Sequence, residues 1–67
     1  MLVYRIDVLK SLKEAGYNTT RIRNEKLLSE ATLQYIRKGK PVGAKVLDVL
    51  CRLLNMQPGS IIKYIED

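Results

Sequence analysis

Apolar residues recur along the chain at three- and four-residue intervals in short stretches, each opened by a small polar residue and most closed by a glycine or a polar break. Asp7 is placed to cap a first helix, with Val8, Leu9, Leu12 and Ala15 on one face, Lys10, Lys13 and Glu14 on the other, and Gly16 at its end. Asn18 opens a second helix, and Tyr17 before it can pack on Ile22 as a hydrophobic staple. The device recurs at Ser29, where Leu28 and Leu33 flank the cap, so two helix starts lie eleven residues apart around a short turn. Helices joined this tightly must cross at a steep angle.

The third helix is expected from Glu30 to Lys38, closed by Gly39 and barred from continuing by Pro41. Leu33 and Ile36 fall on its inner face, leaving Ala31, Gln34, Tyr35 and Lys38 along an outward stripe. A fourth helix is expected from Ala44 to Leu54. Leu47, Leu50, Cys51 and Leu54 form its core stripe, Val46, Val49 and Leu53 a second apolar stripe, and Asp48 and Arg52 stand four apart, suited to a surface ion pair. Pro58, Gly59 and Ser60 read as a turn and cap before Ile61 to Ile65, a segment that periodicity leaves either helical or extended. The alternation of Leu2, Tyr4 and Ile6 with Val3 and Arg5 suggests a short strand.

The resulting expectation is one all-α domain over residues 1–67, a compact five-helix unit with room for short terminal strands. Its apolar fraction of 46% is mostly aliphatic, which favours a packed core over disorder. Net charge is +5, unevenly spread: +1 over residues 1–20, +4 over residues 21–40 and zero over residues 41–67. A cationic middle third suits a polyanion, because neutralising phosphates releases their counterions. With one cysteine and no histidine the chain lacks the usual zinc ligands and an internal disulfide, so no metal or other cofactor is expected. Cys51 lies on an apolar stripe and reads as core. The sequence carries no uninterrupted apolar span and no signal-peptide order at its start, so a cytoplasmic protein without membrane contact is expected. Without a histidine, a phosphate-cradling glycine loop or an acid pair suited to a pocket, the chain is not expected to be an enzyme or to take a small-molecule substrate.

The run from Tyr17-Asn18-Thr19-Thr20-Arg21-Ile22 through Leu28-Ser29-Glu30-Ala31-Thr32-Leu33-Gln34-Tyr35-Ile36-Arg37-Lys38-Gly39-Lys40 resembles the helix-turn-helix of the Cro and phage-repressor (XRE) family. Leu47, Leu50-Cys51 and Leu54-Asn55-Met56-Gln57-Pro58-Gly59 resemble the end of a small single-domain subgroup of it. The resemblance implies a lambda-repressor-like five-helix domain of a bacterial or phage transcriptional regulator, with the third helix in the major groove of double-stranded DNA and the second across the backbone. Two positions depart from the family's pattern. Arg23 replaces a small residue, and Leu27 stands where a turn glycine is common. A leucine held at positive φ would cost about 1–2 kcal/mol, so either the turn takes another geometry or the helix packing relaxes. Arg23 could snorkel to solvent and keep its charge near the nucleic acid.

The residues expected to face bases are Ala31, Thr32, Gln34 and Tyr35, the variable part of the family's recognition helix. Gln34 is the strongest reader, since its amide can pair with adenine N6 and N7, and Ala31 suits a thymine methyl. Expected phosphate contacts are Thr19, Arg21, Arg37, Lys38 and Lys40; Glu30 reads mainly as an acidic residue favouring a helix start. A homodimer is expected, because one such domain covers half of a symmetric operator. Two surfaces could join the copies: the Val46, Val49 and Leu53 stripe, or the strand-like ends of the chain. The alternative function is a protein-interaction module on the same fold, such as an inhibitor or antitoxin-like partner.

Overall fold

A computed structural model describes residues 1–66. The elements run β1 (Leu2–Tyr4), α1 (Val8–Glu14), α2 (Thr19–Asn24), α3 (Glu30–Arg37), α4 (Ala44–Leu54), α5 (Pro58–Ile61) and β2 (Ile62–Tyr64). Three of the helix starts are fixed by side chains. Asp7 accepts from the Lys10 amide, Asn18 from Arg21 and Ser29 from Thr32, each satisfying a donor that helix geometry leaves without a partner.

The helix ends follow one device. In α1, α2 and α3 the residue after the cap turns left-handed and its neighbour's amide reaches back five residues: Tyr17 to the Leu12 carbonyl, Leu27 to Ile22, Lys40 to Tyr35. Gly16 and Gly39 take this conformation at φ 96° and 75°, where glycine has no side-chain penalty. After α2 the left-handed residue is Lys26, at φ 55°; Leu27 follows it and turns its side chain onto the core. The turn therefore takes another geometry than a leucine at positive φ. The strain falls on an exposed lysine, while Leu27 supplies the apolar contact that accompanies such a closure. Asn55 plays the equivalent part after α4, at φ 54°, with the Met56 amide bonded to the Cys51 carbonyl.

Val8, Leu12, Ile22, Leu28, Leu33, Ile36, Leu50 and Ile61 form one buried cluster drawn from α1 to α5 and the turn before α3. The residues of the expected staples reach the core: Tyr17 is half-buried and packs on the cluster that holds Ile22, and Leu28 and Leu33 are both buried in it. In α4 only Leu50 is fully enclosed, while Leu47, Cys51 and Leu54 are half-buried. Val46, Val49 and Leu53 are also half-buried and pack against the core cluster, so that stripe is largely covered by its own chain. No ion pair joins Asp48 to Arg52. Both side chains are exposed, where water screens an attraction worth only a few tenths of a kcal/mol.

The ends of the chain correct one expectation and settle another. Pro58 does not belong to a turn that precedes a cap at Ser60; it starts α5 itself, with Gln57 as the cap residue. A proline suits the first helical position because its missing N–H has no intrahelical partner to lose. Beyond Ile61 the chain is extended, and β2 pairs antiparallel with β1, setting Leu2 opposite Tyr64, Val3 opposite Lys63 and Tyr4 opposite Ile62. Arg5 ties this sheet to α5 twice, its amide donating to Ile61 and its guanidinium to the Gly59 carbonyl. No helix among the described residues is long and apolar enough to cross a membrane.

Candidate nucleic-acid interface

The site is built on α2, α3 and the five-residue turn between them. With Leu33 and Ile36 drawn into the core, helical periodicity turns Ala31, Gln34, Tyr35 and Lys38 outward, and all four are exposed. Thr32 differs from them. It is half-buried, and its hydroxyl lies 2.9 Å from that of Ser29 at the start of the helix. Of the expected base-facing residues, three therefore present open side chains and the fourth is partly engaged in the cap.

Arg23 crosses the turn to Glu30, Nε to Oε1 at 2.5 Å. Both side chains are about half exposed, so the pair contributes little to stability, but it bridges the last turn of α2 and the first of α3. The departure at Arg23 thus has a local partner, and Glu30 occupies the helix start where a carboxylate is also favoured by the dipole.

The cations divide into engaged and open groups. Arg21 donates from Nε to Glu25 at 2.6 Å and from Nη1 to the Gly16 carbonyl at 3.0 Å, with its guanidinium 4.5 Å from the centre of the Tyr17 ring. The hydrogen bond and charge of Glu25 raise its pKa further above the usual arginine value. Arg37 and Lys38 are exposed and have no ion-pair partner among the described residues. Lys40 leans over Tyr35, its Nζ 5.9 Å from the ring centre, and its carbonyl accepts a 2.7 Å hydrogen bond from the Tyr4 hydroxyl. Burial of the Tyr4 phenol raises its pKa, keeping it in the neutral form that can donate. The loop after α3 is thereby tied to β1.

An open groove runs between α1, the start of α2 and the end of α3. Thr19, Thr20 and Arg37 line it, and Lys10 and Lys13 of α1 join them. Thr19 and Thr20 lie in the first turn of α2, whose amides point away from the helix without acceptors of its own. Thr19 and Arg37, eighteen residues apart, are thus brought to one groove, whereas Lys38 and Lys40 lie outside its lining. Lys10 and Lys13 are the contribution that reading the helices one by one missed. Their position on the outer face of α1 was legible, but their place beside Thr19 depends on how α1 packs against α2 and α3.

Two short capped helices joined by a tight turn, the second showing a polar face beside open cations, define a helix-turn-helix nucleic-acid-binding domain. The sequence matches the Cro/C1-type HTH DNA-binding domain family over residues 7–67, and the chain belongs to that family. Comparison with curated proteins and with solved structures gives no match. The function that follows is DNA binding of the kind found in regulators.

Proposed function

We propose that the chain binds double-stranded DNA sequence-specifically as a bacterial or phage transcriptional regulator, repressor or activator, with α3 in the major groove and α2 across the backbone. One observation carries this reading: the exposed stripe of α3, Ala31, Gln34, Tyr35 and Lys38, sets an amide and an ammonium group around one aromatic ring, with the open cation Arg37 beside it. An apolar stripe at the same place would instead have suited a protein partner. Gln34 reads adenine through its amide, Ala31 meets a thymine methyl, and Tyr35 packs on the groove wall. Thr32, held near Ser29, contributes shape more than hydrogen bonding.

The phosphate contacts fall to Thr19, Arg37, Lys38 and Lys40, extended by Lys10 and Lys13 along the groove. Arg21 can join them only by loosening its hold on Glu25, so its share is smaller. Two copies acting in the cytoplasm on a symmetric operator complete the reading.

The test is selection of duplexes from a random pool, by the wild-type chain and by Gln34→Ala. A common motif for the wild type, relaxed at one position by Gln34→Ala, is the expected outcome, with a loss of about 1–3 kcal/mol of discrimination there. A pool that never enriches, under conditions where the protein binds DNA, would overturn sequence-specific recognition.

A further inference from the structure

Residues 19–40 hold two carboxylates, Glu25 and Glu30, and an arginine of α2 engages each of them. Glu25 closes α2 and pairs with Arg21 one turn before it. Glu30 is placed differently, as the first residue of α3, the helix that the proposed reading sets in the major groove. A helix docked in this way meets base edges through its N-terminal residues. Helical periodicity puts Glu30, Gln34 and Arg37 on one flank of α3, at i, i+4 and i+7, and all three are exposed.

A free carboxylate one turn before Gln34 would select a base of its own. It only accepts hydrogen bonds, so guanine, which shows two acceptors in the major groove, repels it, and adenine sets an acceptor beside its donor. Cytosine offers its N4 amino group alone and suits it best. Here that carboxylate is taken. Arg23 Nε lies 2.5 Å from Oε1 of Glu30, tying the start of α3 back to α2 across the turn. Lys26 lines the same shallow hollow over the turn, but no ion pair joins it to Glu30 among the described residues.

We infer that Arg23 sets the base preference of α3 through Glu30: by holding the carboxylate to α2 it withholds a cytosine-selecting acceptor from the DNA and leaves base reading to the residues that follow. Arg23 is thus a positioning residue for specificity, in place of the small residue that the sequence pattern leads one to expect at its position. The pair persists on DNA for an electrostatic reason. Leaving a guanidinium for the neutral amino group of cytosine would trade an ion pair for a bond charged on one side only, and would bare a negative charge beside the phosphates. The inference rests on the DNA-binding reading and deepens it, and its test separates the two.

Duplexes are selected from a random pool by the wild type, Arg23→Ala, Glu30→Ala and the double variant. Arg23→Ala is expected to gain a cytosine preference of about tenfold at one position beside the one read by Gln34, and the double variant to lose it again. Glu30→Ala alone is expected to keep the wild-type motif, because the carboxylate is already withheld. The altered net charge of the variants shifts affinity for all sequences alike and does not choose a base. Circular dichroism checks the fold, which a half-exposed ion pair supports only weakly; if Arg23→Ala loses helix, Arg23→Met, which keeps the stem without the charge, carries the test with the same expected outcome. A wild-type motif that Arg23→Ala leaves unchanged, a new preference that survives in the double variant, or a cytosine preference already present in the wild type and removed by Glu30→Ala would each overturn this inference alone. A wild-type chain that enriches no motif would overturn sequence-specific reading, and the inference with it.

Discussion

Residues 19–40 and residues 41–66 are built from the same local parts and end with opposite surfaces. Each contains at least one helix closed by a left-handed residue, and each lends leucine and isoleucine to one core. The first region turns Gln34, Tyr35, Arg37 and Lys38 outward and carries +4 of the net +5; the second carries +1 and leaves Tyr64 and Ile65 exposed at the sheet end. The difference shows how a small chain with a single core can present surfaces of different chemistry from the same local devices. Since the core is shared, surface substitutions should separate the two regions and core substitutions should not.

The largest effect follows from removing that shared core. Leu33 and Leu50 are both fully enclosed, one in each region. Either Leu→Ala change should destabilise the chain by about 2–5 kcal/mol, comparable to the whole stability of a domain this small. Urea unfolding followed by circular dichroism should show both regions lost together; a variant that melted one region alone would break the picture of a common core.

A smaller effect should sharpen the division among the cations. Arg37→Ala is expected to weaken binding across all duplex sequences and to lower the salt slope by about one unit. Arg21→Ala should change that slope less, because Glu25 and the Gly16 carbonyl already hold its guanidinium. Equal losses of slope would show that Arg21 leaves those partners when DNA is present.

Backbone strain supplies the next test. Lys26→Gly should stabilise the chain by about 1 kcal/mol, because it relieves a left-handed lysine without touching the core. Gly39→Ala should destabilise it by a similar amount, about 1 kcal/mol, for the opposite reason. Thermal melts of the pair distinguish strain at these turns from a general effect of glycine content.

Tyr4→Phe should produce the smallest change, removing one hydrogen bond to the Lys40 carbonyl at a cost of at most about 1 kcal/mol. Its pH dependence has a defined sign. Burial raises the Tyr4 pKa in the folded chain above its ordinary value of 10.0, so its contribution is fully present below that pH and is lost as pH rises through the folded value. The gap between wild type and Tyr4→Phe should therefore shrink in alkali; a gap constant to high pH would contradict the role given to the hydroxyl.

Much of the first region was legible in the sequence because its information is local. Asp7, Asn18 and Ser29 lie next to the amides they cap, and the outward stripe of α3 follows from Leu33 and Ile36 alone. The position of the left-handed residue was not legible. No glycine marks it, and the choice of Lys26 over Leu27 is made by Leu27 reaching the core. The second region hid more, because its form is set by distant partners. Ile62 to Tyr64 becomes a strand through β1, some sixty residues earlier in the chain. Pro58 reads equally as a turn residue or as the first residue of a helix until its neighbours are in place. Lys10 and Lys13 join the groove beside Thr19 and Arg37 only through packing between helices.

Whether residues 19–40 form the proposed DNA surface is decided by the affinity for random duplex DNA at two salt concentrations, for the wild type and Arg37→Ala. Binding that falls steeply with salt, and falls less steeply once Arg37 is removed, is the predicted result. No binding at low salt, or binding indifferent to both salt and Arg37, would contradict it.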